Sequence, residues 1–372
     1  MKKRNSLKLA VGTCFALSAF SLFAADTIKI GLAGPHTGDL VAYGMPSKEA
    51  AEMVVAEVNA KGGINGKQIE LIAVDDQCKP ELATNAATKL ASQGVAMVIG
   101  HVCSGATKAS LAIYKNAKII SISPSATAPA LTQAKEYPNF YRTIMSDDAQ
   151  AVVAADFALN KLNAKKIALI HDKGDYGKGF VDFVKAGIEK NGTAKVVVYE
   201  GIAPGAVDYS AVIQKVKAEG ADTLIFGGYH PEASKLVLLL DKRKMKLNFI
   251  GPDGVKGEGF LKIAGKNAEG VYGTAPTDVS TLPLNIKARA DYKAKYGKEA
   301  GNFFDQAYAA TLAAVNALRV AGNTDYDALG KALKTSPVDT PIGKIKFDDK
   351  GDAEGVRSAI YQVQKGKFVE VK

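Results

Sequence analysis

Six short stretches hold the residues best suited to chemistry, and each follows an apolar run of the kind that forms a buried strand. They are Gly34-Pro35-His36-Thr37-Gly38 with Tyr43 shortly after, His101-Val102-Cys103-Ser104-Gly105, Pro124-Ser125-Ala126-Thr127, His171-Asp172-Lys173 with Tyr176, Tyr229-His230-Pro231, and Gly251-Pro252-Asp253-Gly254. Ser104 and Thr127 each set a hydroxyl beside a predicted helix start or tight turn. Unpaired backbone N–H groups point outward there, so an anionic carboxylate is the natural guest; capping of local backbone is the competing role. Asp253, flanked by Pro252 and Gly254, suits pairing with an ammonium group and equally suits a turn. His36, His101, His171 and His230 lie at or just beyond strand ends. None forms a His-x-x-x-His pair or another short metal-ligand spacing, so supporting roles are favoured and no metal is expected. Ser104 is not in a Gly-x-Ser-x-Gly turn, and Gly66-Lys67-Gln68 lacks the Ser or Thr that a phosphate loop needs after Lys. With no dinucleotide fingerprint either, neither a cofactor nor catalysis is expected.

The elements that must hold these stretches alternate. Thr27 to Ala33 reads as a buried strand, Ser47 to Ala60 as a helix, Gln68 to Val74 as a strand, Glu81 to Gln93 as a helix, Met97 to Gly100 as a strand, Ser104 to Asn116 as a helix and Lys118 to Ser123 as a strand. Repeated β-α of this kind implies a parallel sheet with helices on both faces. In such sheets ligands bind beyond the carboxyl ends of the strands, which is where all six stretches fall. The rhythm restarts with a helix over Asp148 to Leu162, strands at Lys166 to His171, Lys195 to Glu200, Thr223 to Gly228 and Asn248 to Ile250, and helices between them. The fold class is therefore α/β, with two doubly wound parallel-sheet lobes joined by several crossings that act as a hinge. We expect one lobe to comprise 26–145 and 277–357, the other 146–276 and 358–372. The pattern changes near residue 276, and the returning segment contains a long helix from Phe303 to Ala321.

The N-terminus presents Lys2, Lys3, Arg4 and Lys8, then an apolar stretch from Leu9 to Phe23 and small residues at Ala24 and Ala25. That order is a secretory signal over residues 1–25, and the stretch is short of the ~20 apolar residues that cross a bilayer. Cys14 leaves with it, since Thr13 is too large for the residue before a lipid-attachment cysteine. Removal lowers the formal charge from +10 to +6. The remaining lysines are scattered among acids, without the basic stripe and aromatic platforms that nucleic-acid binding requires, so no nucleic-acid partner is expected. Cys78 and Cys103 remain, and in an oxidising compartment they read as one disulfide.

Taken together, IGHVCS at 99 to 104, SPSATAPALT at 123 to 132, HDKGDYGKG at 171 to 179, GGYHPE at 227 to 232, GPDGV at 251 to 255 and DDKGD at 348 to 352 resemble the periplasmic branched-chain amino-acid binding proteins of ABC importers. The resemblance spans nearly the whole chain beyond the signal. It implies a type I periplasmic binding protein fold and a monomer that passes a small amino-acid-like ligand to a membrane permease of an ABC importer. Carried over residue by residue, it implies that Ser104 and Thr127 hold the ligand carboxylate, with Ser125 and Ala126 on the same wall. Tyr43 and Phe303 would bound the side-chain pocket, and Tyr176 and Tyr229 would press on the ligand from the second lobe. Cys78 and Cys103 match the family's disulfide. One position departs: the family's ammonium-binding acid in the GPxG block is glutamate, and here it is Asp253, whose carboxylate is withdrawn by about a bond and a half, large against hydrogen-bond tolerance. Ser125 also stands where glycine is commoner. The departures admit a different small solute, such as an amide, an aromatic acid or a γ-amino acid, and Asp305 is a second candidate acid with a helix-start role as its alternative. A secreted enzyme using the same cleft is the remaining class, and it lacks a nucleophile, metal or cofactor motif.

Overall fold

Continuous apolar runs such as Lys166–His171 (KIALIH) cannot leave either face in water, so they require helices on both sides. The computed structural model, which describes residues 27–372, satisfies this twice. Five parallel strands form the first sheet: β1 (Ile28–Gly34), β2 (Ile69–Asp75), β3 (Met97–Ile99), β4 (Ile120–Ser123) and β5 (Phe140–Arg142), in the order β2-β1-β3-β4-β5. The second contains β6 (Lys166–His171), β7 (Lys195–Gly201), β8 (Thr223–Gly227), β9 (Asn248–Gly251) and β10 (Tyr272–Pro276). A short hairpin, β11 (Val338–Thr340) with β12 (Gly343–Ile345), precedes β13 (Ser358–Gln364) and β14 (Lys367–Glu370). The second sheet runs β14-β13-β10-β9-β8-β6-β7, with β13 and β14 antiparallel at one edge. The proposed signal and its cleavage point lie outside the described residues. Among those described, no helix is long and apolar enough to cross a membrane.

Alternation along β6 shows how the second sheet is covered. Ile167 and Leu169 pack with Val181, Val184 and Ile188 on one face, while Ala168 and Ile170 pack with Val198, Leu224 and Phe226 on the other. In the first core, Ala50, Ala51 and Val54 meet Ala310, Ala313 and Ala314 of the helix Phe304–Ala321. The small residues let the two helices approach closely. The chain therefore crosses from the first sheet to the second after β5, returns after β10, and crosses again before β13.

Helix boundaries differ from the sequence reading at one informative place. Ser47 was expected to start the first helix, but it runs Val41–Ala60 with Pro46 inside. Proline removes one backbone donor, that for the carbonyl four residues back, here Ala42. Ser47 Oγ bonds the next carbonyl, Tyr43 O, at 2.9 Å. The extra turn carries Tyr43. The segment Asp148 to Leu162 is an α-helix over Asp147–Asp156 that widens into a π turn at Phe157–Lys161.

One fully buried arginine ties the first sheet to the returning segment. Arg142, at the end of β5, donates from Nε to Asp352 Oδ1 at 2.5 Å, from one terminal nitrogen to Ala126 O and Ala128 O at 3.3 and 3.0 Å, and from the other to Thr132 Oγ1 at 2.7 Å. The guanidinium grips the 126–128 turn from behind. Replacing Asp352 by alanine leaves that charge without its counterion. We predict a loss of about 3 kcal/mol, the low end for breaking a buried pair, because the Asp352 side chain keeps 25% exposure. Urea denaturation measures it, and a change below about 0.5 kcal/mol, the usual surface value, would refute the clamp.

Candidate functional site

Strand ends of the two sheets face each other, and their loops enclose a small cavity with about 220 Å³ of space free of atoms. Its walls are Tyr43, Val102, Cys103, Ser125, Tyr176, Tyr229, Asp253, Gly254 and Phe303. Six of the nine residues expected to bind ligand line it: Tyr43, Ser125, Tyr176, Tyr229, Asp253 and Phe303.

Each side chain arrives for a local reason. Tyr43 rides on the extra helical turn before Pro46. Tyr176 is the second residue of the helix Asp175–Asn191, and two glycines seat that helix against β8. A Cβ on Gly177 would lie 2.4 Å from Gly227 O, and one on Gly227 would lie 2.0 Å from Gly177 O, so neither position admits a side chain. Tyr229 is the residue before the helix His230–Lys242, with Pro231 in its first turn. Phe303 precedes the helix Phe304–Ala321 at φ 63°. A bulky residue in the left-handed region is strained by about 1–3 kcal/mol and persists only when its surroundings hold it; its ring sits 5.5 Å from that of Tyr43. Tyr176 and Tyr229 rings lie 5.0 Å apart, and Tyr43 and Tyr229 rings 5.9 Å apart. The result is an aromatic box.

Ser104, Ala126 and Thr127 stand just outside the cavity walls. Ser104 opens the helix Ser104–Asn116, and its Oγ accepts from Ala128 N–H at 3.2 Å, which leaves its own proton to donate. Ala126 is packed among Leu111, Leu131 and Phe140, so it can offer a ligand only backbone. Thr127 Oγ1 is buried, caps no backbone and has the Asp147 carboxyl as its polar neighbour. Ser125 Oγ is engaged with Val102 O at 2.6 Å. The disulfide joins Cys78 to Cys103, the residue before Ser104. Next to it, His101 is buried between Asp76 Oδ2 at 2.5 Å and Tyr114 OH at 2.9 Å, and Asp76 Oδ1 accepts from Cys78 N–H at 2.7 Å. His101 thus braces the loop that leads to Ser104. Asp305 pairs with Arg289 at 3.1 and 2.6 Å, which assigns it to an ion pair.

Asp253 sits in a turn and in the cavity wall at once. Its Oδ1 accepts from Tyr176 OH at 2.7 Å and from Gln150 Nε2 at 2.9 Å. Gln150 Nε2 also donates to Asp147 Oδ1 at 3.0 Å, while Gln150 Oε1 accepts from Thr274 Oγ1 at 2.8 Å. Asp147, Gln150 and Asp253 are buried. Burial pushes the Asp253 carboxyl up, against the hydrogen bonds from Tyr176 and Gln150. Burial, and then the charge of Asp253, hold Asp147 well above the usual carboxylate range. Its place at a helix N-terminus, worth about 0.3–1 kcal/mol to an anion, does not offset this. Sequence reasoning missed Asp147 and Gln150; the signal was two acids, Asp147-Asp148, three residues before a glutamine at the start of a helix, which also describes ordinary capping.

Two lobes meet through Tyr43. Its hydroxyl lies 2.5 Å from Gly254 O and 2.6 Å from His230 Nδ1, and it accepts from His230 N–H at 3.2 Å. One hydroxyl proton cannot serve both acceptors. With the proton on Gly254 O, the imidazole donates from Nδ1. Burial pulls His230 down to about 4, so the ring is neutral near pH 7. Asn302 Nδ2 adds a bond to Lys256 O at 2.7 Å, and Lys108 pairs with Asp175 at 2.7 Å.

Comparison with known proteins places this geometry in context. Residues 27–367 match the family described as Periplasmic binding protein. A leucine-, isoleucine-, valine-, threonine- and alanine-binding protein of Pseudomonas aeruginosa is 37% identical over 98% of this chain and 98% of its own. Among solved structures, a leucine-binding protein of Thermotoga maritima is similar with a TM-score of 0.86 and 25% identity, covering 93% of this chain and 98% of that one. A branched-chain amino-acid transporter substrate-binding protein of Streptococcus pneumoniae, in complex with isoleucine, is similar with a TM-score of 0.82 and 29% identity, covering 93% of this chain and 100% of that one.

Tyr43→Phe tests the contact between lobes. It removes the partner of Gly254 O and His230, at about 1–3 kcal/mol for the groups left unpaired. We predict a shift toward separated lobes, read as a larger radius of gyration in solution scattering. An unchanged profile would remove Tyr43 from the latch.

Proposed function

Because the chain belongs to the periplasmic binding protein family, we propose that it captures a branched-chain or related amino acid between its lobes and delivers it to the membrane permease of an ABC importer. On this reading residues 1–25 direct export to the periplasm, the mature protein is a monomer without catalytic chemistry, and the lobes are 26–145 with 277–357 and 146–276 with 358–372. The ligand carboxylate meets the start of the helix at Ser104 and the buried hydroxyl of Thr127, with Ser125 and the backbone of Ala126 beside them. Its ammonium meets Asp253. Its side chain lies among Tyr43, Tyr176, Tyr229 and Phe303.

The observation that carries this is the charge asymmetry of the walls. An acid, Asp253, is buried against tyrosines and an amide, and forms no ion pair with any cationic side chain among the described residues. An unpaired buried carboxylate is strongly disfavoured, and a ligand ammonium is the partner it lacks. Opposite stand donors: the start of the helix at Ser104 and the buried Thr127 hydroxyl. A zwitterion fits both.

Asp253→Asn is predicted to weaken amino-acid binding roughly ten- to hundredfold, the range for a hydrogen bond to a charged group. Unchanged affinity by calorimetry sinks that assignment. A thermal-shift screen sets leucine, isoleucine and valine against amides, aromatic acids and γ-amino acids. Stabilisation by one of the latter alone would replace the branched-chain ligand while keeping the transport role.

A further inference from the structure

Gln150 has no freedom in its amide. Both Nε2 hydrogens are committed, one to Asp147 Oδ1 and one to Asp253 Oδ1, and its oxygen is held by Thr274 Oγ1 at 2.8 Å and Asp253 N at 3.3 Å. A flipped amide would turn its oxygen onto two carboxylates. Two acids are thus fixed on either side of one amide, and Asp147 Oδ2 remains buried without a hydrogen bond.

Every charged or titratable group that bears on the pair can be named. Arg142 and Asp148 act on Asp147, along with the Thr127 hydroxyl beside it. Tyr43, Tyr176 and Tyr229 face Asp253, and burial keeps all three phenols protonated. Asp172 stands behind Tyr229. Of the cations nearby, Arg142 is already committed to Asp352, two carbonyls and Thr132, and Lys256, which shares a cavity wall with Asp253, sets its ammonium over the Tyr361 ring at 4.2 Å. Two buried carboxylates in that position do not both ionise.

We infer that Asp147 and Asp253, bridged by Gln150, form a two-carboxylate seat that holds one proton until a ligand ammonium displaces it. The inference rests on the reading of the cleft as an amino-acid site and names its cation-binding chemistry. When the ammonium enters, the proton leaves to solvent, the pair passes from one negative charge to two, and the ligand supplies the positive charge. Asp147 becomes a specificity-determining residue. A primary ammonium meets Asp253 in the cavity wall and, through Gln150, the charge of Asp147 behind it; an N-acylated analogue brings no charge and displaces nothing. The sign follows: a proton that must be expelled opposes binding, so affinity rises with pH until the pair ionises unaided and then levels off.

Calorimetry near pH 7 with L-leucine, L-isoleucine, L-valine and 4-aminobutanoate, each in two buffers of different ionisation enthalpy, counts the protons. We expect close to one proton released for whichever of these binds. In Asp147→Asn we expect close to none, with affinity roughly tenfold or more weaker. Binding by the unmodified protein with no proton released overturns the inference and leaves the amino-acid reading standing. A second measurement needs no ligand: a ¹³C-carboxyl titration of the aspartates from about pH 4 to 9, above the ordinary value of about 3.9, in the unmodified protein and in Asp147→Asn. Burial alone pushes Asp172 up to about 7, so the expected signal is a second aspartate that titrates well above the ordinary value and is lost in Asp147→Asn. If Asp172 is the only one, the inference fails; if no probe binds, the amino-acid reading fails while this titration still decides the proton.

Discussion

Negative charge buried at the contact between two lobes is the constraint on which this protein is built. Asp147 and Asp253 come from the second lobe, and the cavity over Asp253 is roofed by Tyr43, Val102, Cys103, Ser125 and Phe303 from the first. Burying a carboxylate costs several kcal/mol unless it is paired. Bringing the first lobe down on Asp253 therefore opposes closure, and a cation in the cavity reverses the sign. The other contacts between lobes are the aromatic packing of Tyr43 on Tyr229 and His230 and a few polar ones: the Tyr43 hydroxyl with Gly254 and His230, Asn302 with Lys256, and the exposed Lys108–Asp175 pair. An exposed pair contributes about 0–1 kcal/mol. Such an interface leaves the ligand to decide which arrangement is populated, and that differential affinity is what a downstream partner can read.

For that switch to work, the first-lobe wall has to be rigid. Two buried polar networks hold it. His101 between Asp76 and Tyr114, with the neighbouring disulfide, fixes the approach to Ser104. Arg142 grips the carbonyls of Ala126 and Ala128, so the 126–128 turn cannot relax backward into the core. Both networks lie beneath the wall, where fully satisfied hydrogen bonds specify one arrangement. The second lobe, by contrast, presents side chains that bond one another: Tyr176, Gln150 and Asp253.

Much of this was legible because parallel strands buried on both faces announce themselves as unbroken apolar runs, and the loops after them fall on one edge by topology alone. Asp253, Tyr229 and Tyr176 were found on that basis and by resemblance. Less legible were features whose meaning lies in distant contacts. Gln150 reaches Asp253 across 103 residues, and Arg142 reaches Asp352 across 210; locally they look like a helical surface residue and an ordinary strand end. The first turn before Pro46 was also missed. Proline is unfavourable inside a helix, and only the structure shows that the helix tolerates one missing donor and carries Tyr43.

Asp253 was also where sequence reasoning raised its sharpest difficulty, since a shorter acid withdraws its charge from the cavity. The structure answers in terms of neighbours. Asp253 remains in the cavity wall, held there by Tyr176 OH and Gln150 Nε2, and the same glutamine ties a second acid, Asp147, to it. The lost methylene is therefore not an isolated change at one position. On the proposed reading of the cleft, ligand choice follows from the reach and charge of the whole group: an aspartate steadied by a tyrosine, an amide that cannot turn, and a neighbouring buried aspartate. A substitution at Gln150 would change that choice as surely as one at Asp253, because the amide sets where both carboxylates point.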